Sequence, residues 1–397
     1  MQKAYKLLGK HRHYDWGGNR FIPNLMGIDN LTEKPFAEYW MGAHVSAPSI
    51  IQTDAGDVLM NQFIQTNATE LLGTKINASF GSLPYLFKVL DVAKMLSIQV
   101  HPSKQNAIIG FDKEETLGIE LDAFNRNYKD KNHKPEIMVA LSDFWLLHGF
   151  LPPAELETRL QSYFPLRSLI NEFKGVDYQQ LYTFFMQLPV DVSDQILKPL
   201  LQEAADEVKN ETVGKLDPHY WAHKYYADGI PSANIDKGIF SIYILNIVHV
   251  PKYQGVFQGA GLLHAYLEGQ NIELMANSDN VLRGGLTSKH VDIKELLEHI
   301  SFVPTYPEIL KGDSIQANEI NYPSAAPDFG LTKISLNTGE SSTIKTDSLE
   351  ILLVTEGTVM VDLLTLKTGD SAVLTADTKL TIHAKQPSVL FKSFVPK

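Results

Sequence analysis

The chain has 397 residues, 44% hydrophobic and 20% charged, with a net charge of −11. Its length predicts two or three domains, and its acidic balance argues against nucleic acid as the main partner. It contains no cysteine, so disulfides, thiolate metal sites and cysteine nucleophiles are excluded, and any metal must rest on His, Asp, Glu or neutral oxygen ligands.

The opening "MQKAYKLLGK" lacks an apolar h-region, and no run reaches about 18 apolar residues. A cytoplasmic protein with no membrane contact is expected. "MNQFIQTNATELLG" has helical spacing, with Phe63, Leu71 and Leu72 on one side. "LPYLFKVLDVAKMLSIQVHPSK" reads as two strands around a turn at Asp91–Lys94, and "PEIMVALSDFWLLHGF" as two more, split at Ser142–Asp143. Residues 151–230 turn helical: Leu156 with Leu160, and Ile196, Leu197, Leu200, Leu201, Ala204 and Val208, recur at helical spacing. Pro152–Pro153 and Asp191 with Ser193 are helix starts, and Pro199 should kink or begin a helix. From Gly238 ("GIFSIYILNIVHV") strands return. "DIKELLEHISF" predicts one short helix, and 331–397 read as almost wholly β. The expected class is mainly β with an α-helical insertion. Many short strands with Gly and Asp turns suggest jelly rolls or barrels.

Chemistry concentrates in four stretches. In "LSIQVHPSK" (96–104), Leu96, Ile98 and Val100 alternate with Ser97, Gln99 and His101 before Pro102 ends the strand. Gln99 and His101 share a face about 7 Å apart along the strand, so they can converge on one ion. Alone, the pair reads more readily as a hydrogen-bonded face. In "NHKPEIMVAL", Glu136 stands among apolar residues, which is costly unless it is paired or metal-bound. His133 and Lys134 precede it, and alone this is more readily a salt bridge at the strand's start. In "GLLHAYLEG", His264 shares a face with Tyr266, and a lone His there is more often a satisfied core residue. "ELMANSDNVLRGGLTSKHVD" then carries Glu273, Asp279, Arg283 and Lys289, with Gly284–Gly285 suggesting a tight backbone approach. Two His, one Glu and one Gln together suit Zn²⁺, with Fe²⁺ or Mn²⁺ open on ligand chemistry. His44, His148 and His249 read as hydrogen-bonded core or near-core residues, "LYTFFM" (181–186) as core, and "KEETLGIELD" as a solvated face.

These blocks, with "YDWGG" (14–18), "EYWMGAHVSAPS" (38–49) and "LPYLFKVLD" (83–91), resemble the type I mannose-6-phosphate isomerase family of the cupin superfamily. The likeness spans most of the chain and is weak over 331–397. It implies two cupin, jelly-roll β-barrel domains plus a helical domain: a catalytic cupin domain of 1–150 with 238–310, a helical insertion of 151–237, and a C-terminal cupin-like domain of 311–397. It also implies zinc on Gln99, His101, Glu136 and His264, and a catalytic Arg283. One departure is Gly259–Ala260, where the family usually has a proline-alanine pair.

The implied reaction interconverts mannose 6-phosphate and fructose 6-phosphate through an enediol. Zinc and Arg283 would stabilise the charged oxygen. Base candidates are His133, Lys134, Glu273 and Asp279, with Glu273 preferred if burial raises its pKa. Ser97, Lys88, Lys134 and Lys289 are candidates for the phosphate, and Tyr266 and Trp16 for the sugar. A monomer acting on a small sugar phosphate is expected. The competing readings are another metal-dependent cupin, such as an Fe²⁺ dioxygenase, and a non-catalytic sugar-phosphate-binding cupin.

Overall fold

The computed structural model describes residues 2–170 and 177–396. The fold is mixed α/β, with antiparallel sheets of ten, nine and four strands. The ten-stranded sheet is organised around one long strand, His264–Ala276. Its first half pairs with Phe144–Phe150 and, at His264, with Gln99. Its second half pairs with Tyr85–Val92 and Glu136–Ala140. The changeover falls at Gly269, where φ is +125° and a Cβ would lie 2.7 Å from the Asp143 carbonyl oxygen, so glycine is required.

Period-two alternation assigns the two faces of this second half. Tyr85, Phe87, Val89, Ile137, Val139, Ile272 and Leu274 point outward. There they meet Leu7, Ile51, Leu353, Val373 and Phe391 of the nine-stranded sheet. The alternate residues point inward: Leu90, Met138 and Ala140 pack in an inner core, and Lys88 faces a cavity. Both faces are therefore buried, so these strands read as nearly continuous apolar runs. The nine-stranded sheet packs its other face against the four-stranded one through Leu352, Val354, Val359, Ile382 and Leu390. The expected helices at 60–72, 293–299 and 153–162 form as read, the first as two short helices. The "LYTFFM" stretch packs in the helical core beside Leu156, Leu160, Leu197 and Leu201.

Four expectations are corrected. Gly238–Ile244 is a helix, and the strand begins only at Leu245. All of its residues are buried, so it shows no polar face to separate it from a buried strand. Of the two readings of Pro199, a helix start is ruled out: helix Val190–Lys209 runs through it, its position held by buried Leu197, Leu200 and Leu201. His249 is exposed, stacking on Trp145 and pairing with Asp143, while His44 and His148 are buried as expected. Glu114 is buried within the supposed solvated face, because Arg126 and the Asn127 and Tyr128 amides bind its carboxylate. Strands Ala4–Leu8, Ile50–Thr53 and Gly56–Leu59 belong to the nine-stranded sheet with the C-terminal strands, so the chain's start and end are interleaved.

Candidate active site

Three strands bring the chemistry together. His101 follows strand Ile98–Val100, Glu136 opens Glu136–Ala140, and His264 opens the long strand. His101 Nε2 lies 3.3 Å from Glu136 Oε1, and His264 Nε2 lies 3.4 Å from Glu136 Oε2. All three side chains are buried, and one ligand atom from each lies within 4.8 Å of the others. The outer ring nitrogens are engaged: His101 Nδ1 is 2.8 Å from the Asn280 carbonyl oxygen, and His264 Nδ1 is 2.9 Å from that of Leu262. A carbonyl only accepts, so each Nδ1 carries a proton and each Nε2 is turned inward toward Glu136.

Those inward atoms have no hydrogen-bond partner: His101 Nε2, His264 Nε2 and Glu136 Oε2 are buried and unsatisfied. Each such atom costs about 1–3 kcal/mol if left so. Burial, aided by the nearby Lys134 ammonium, pushes His101 down to about 4, so it is neutral near pH 7. Burial opposes the charge on Glu136, but Lys134 at 3.1 Å and His101 outweigh it and hold the carboxyl well below its usual range. Two imidazoles and one carboxylate aimed at one point, fixed by carbonyls behind, are a donor set that fits a divalent cation. Gln99 stands opposite both His264 and Arg283 in register, and its side chain lines the adjoining cavity.

That cavity has a volume of about 900 Å³. Of the residues singled out from sequence, Trp16, Lys88, Ser97, Gln99, Lys134, Asp279, Arg283 and Lys289 line it. Arg283 and Lys289 form no ion pair with a described carboxylate. Burial lowers the pKa of both, and Arg283 lowers that of Lys289 further. Arg283, partly buried, and Lys289, exposed at the rim, are two cations without a described ion-pair partner in one cleft, an arrangement that suits an anion. Asp279 is held below its usual range, because His44, with Nε2 at 3.2 Å, outweighs burial.

Three candidates lie elsewhere. Glu273 is buried beneath the wall, where Lys88 donates to Oε2 and Tyr266 to Oε1, each at 2.9 Å. Burial does raise its pKa, yet both oxygens are occupied. Tyr266 is fully buried, packed edge-on against Phe144, and does not reach the cavity. His133 pairs with Asp328 at 2.8 Å and does not line the cavity. The sequence reading also missed wall residues. Glu38 and Trp40 carry no spacing signal, and Trp40 Nε1 donates to Glu38. Lys224, Tyr225 and Asp228 reach the cavity from the helical segment, which no local pattern could indicate. The buried amide Gln258 stands opposite Glu136 with an unpartnered Oε1.

Comparison with known proteins bears on this site. Residues 4–153 match the family described as phosphomannose isomerase type I, catalytic domain. The mannose-6-phosphate isomerase of Salmonella typhimurium is 37% identical over 385 residues, covering 94% of this chain and 95% of its own. The chain belongs to the type I phosphomannose isomerase family. The human mannose-6-phosphate isomerase is 31% identical over 90% of this chain and 88% of its own. Two solved mannose 6-phosphate isomerase structures superpose with TM-scores of 0.88 over the full length of both chains. One, at 33% identity, is bound with zinc and yttrium. The other, from Salmonella typhimurium at 32% identity, is bound to fructose 6-phosphate and zinc. Every relative named here is an isomerase, which favours an isomerase over a dioxygenase or a non-catalytic binder. The match to full-length structures also covers residues 331–397, where the sequence likeness was weak.

Proposed function

We propose that this protein interconverts mannose 6-phosphate and fructose 6-phosphate, with zinc held by His101, Glu136 and His264 and by Gln99 as the fourth ligand. The observation that carries this reading is the convergence of three buried, unsatisfied donor atoms beside a cavity holding two unpaired cations. Zinc, when bound, supplies Lewis acidity toward the substrate oxygens.

The chain's own residues account for the remaining needs. The C2 proton of the open-chain aldose must leave and a proton must reach C1, with negative charge passing onto oxygen meanwhile. Arg283, opposite Gln99, stands where a fixed positive charge can stabilise that oxygen, and it keeps its charge at any relevant pH. Of the four base candidates only Lys134 and Asp279 line the cavity. Asp279 is a weak acceptor, since His44 holds its pKa down. Lys134 has its ammonium paired to Glu136 at 3.1 Å and no lone pair to accept with, so we assign it to donate toward the substrate oxygens and Asp279, though weak, to accept the C2 proton. Lys88, held charged by Glu273 and Glu38 despite its burial, adds positive potential to the same wall. Lys289, with Ser288 and Thr287 beside it, is the proposed phosphate contact, and Ser97 and Trp16 border the sugar.

At the finer level of fold, strand order and family support two cupin-type jelly rolls flanking a helical insertion. A cytoplasmic, monomeric enzyme acting on a small sugar phosphate is part of the same proposal. A coupled assay for fructose 6-phosphate, with and without a chelator, tests the proposal. Turnover that a chelator abolishes and zinc restores is expected. Absence of turnover, or turnover indifferent to metal removal, rejects it.

A further inference from the structure

We propose that Asn280 is the positioning residue of the metal centre, locking the orientation of His101 to the loop that delivers Lys134 and Glu136. The inference rests on the zinc reading above and goes beyond it. Asn280 is fully buried and does not line the cavity beside the site. Its backbone carbonyl accepts the His101 Nδ1 proton at 2.8 Å. Its side-chain Oδ1 accepts from the amides of Lys129 at 2.7 Å and Asp130 at 3.3 Å. Its Nδ2 donates to the Asp130 and Asn132 carbonyl oxygens, each at 2.8 Å, and its own amide donates to Ser278 Oγ at 3.2 Å.

One residue therefore joins three segments. The loop it grips, 129–132, runs directly into Lys134 and Glu136. Its carbonyl holds His101, at the end of a neighbouring strand. Its own chain continues to Arg283 three residues later. Only an amide serves here, because the side chain must accept from two N–H groups and donate to two carbonyls at once. Aspartate would set a carboxylate against those carbonyls, and alanine would leave the Lys129 and Asp130 amides and the Asp130 carbonyl unpaired, with the Asn132 carbonyl keeping only Ser278 Oγ at 3.3 Å. A partner behind a metal-ligating histidine fixes which ring nitrogen faces the metal, and here that partner is itself pinned by the loop carrying the next ligand.

The test measures zinc affinity by competition with a chromophoric chelator for wild type, Asn280→Ala and Asn280→Asp. Thr346→Ala serves as a control, because it removes a buried hydroxyl that donates to the Thr375 carbonyl at 2.6 Å, remote from His101. We expect zinc to bind 10–100-fold more weakly to a folded Asn280 variant. Thr346→Ala should lower the melting temperature and leave zinc affinity unchanged. A purely structural Asn280 would behave like Thr346, so zinc affinity within twofold of wild type overturns the proposal. Should neither Asn280 variant fold, ¹⁵N spectra of zinc-loaded wild type still decide: Nδ1-protonated His101 supports it, and Nε2-protonated His101 overturns it. A wild type that binds no zinc fails the underlying reading instead, and is distinguishable from either result.

Discussion

Glu273 shows how far residue chemistry alone can be read. Its burial and the upward push on its pKa match what a general base needs, yet both oxygens are committed to Lys88 and Tyr266. Spacing along a strand tells which face a side chain takes, but for His101, Glu136 and His264 it left the blander reading ahead, and the family resemblance singled them out. Nor does spacing tell whether another strand's ammonium already occupies that face, as Lys88 does across the Glu273 register. The pair is nearly dry on both sides, with side-chain exposures of 7% and 5%. Removing one partner strands the other charge, so Glu273→Ala should cost about 3–5 kcal/mol in denaturant unfolding. Lys88→Met with Glu273→Leu should recover most of that stability, because a well-packed apolar pair replaces a buried ion pair. Activity should not return with it, since Lys88 lines the cavity. A double variant with near-normal turnover would show that the pair only holds the wall together.

At the scale of elements, the Gly-Gly step after Arg283 was legible as a close approach, and its partner was not. Gly285 has φ of +117°, and a Cβ there would lie 2.5 Å from the Cα of Gly238. A Cβ on Gly238 would in turn sit 2.5 Å from the Leu286 amide. Strand Leu282–Gly285 thus presses backbone to backbone on helix Gly238–Ile244, the element misread as a strand. A seven-residue apolar run gives no period to distinguish the two, and β-branched Ile at 239, 242 and 244 biases the reading toward strand. The contact seats Arg283 two residues from Gly285. Gly285→Ala should therefore destabilise by about 1–3 kcal/mol through strain alone, with further loss from the clash. It should also lower kcat/KM at least tenfold in the coupled assay. Gly339→Ala is the comparison: its φ is +82° and nothing lies within 4 Å of the added carbon. That variant should bear backbone strain only and keep its kcat/KM. Equal kinetic effects from the two would mean that the helix contact does not position Arg283.

For the whole molecule, the expected boundary at residue 310 meets a core that does not divide there. Ala4–Leu8 lies between Ser371–Leu374 and Ile50–Thr53, so the first strand of the chain completes a sheet built mostly from its last 90 or so residues. The outward residues of the catalytic strands, among them Phe87, Val89, Ile137 and Leu274, are fully buried only because that sheet covers them. A long-range pairing of this kind leaves no local sequence mark, since each strand carries the alternation it would have in any sheet. The energetic consequence is large: uncovering a buried Phe, Val, Ile or Leu costs about 1.5–3 kcal/mol per side chain. Exposing a handful exceeds the 5–15 kcal/mol by which whole domains are stable. A fragment ending at residue 310 should accordingly show no cooperative thermal transition and no zinc-dependent stabilisation. Co-expressing residues 311–397 as a separate chain should restore both. A fragment that melts sharply on its own and gains stability from zinc would establish the C-terminal region as a separable domain, and would place the catalytic core wholly within the first 310 residues.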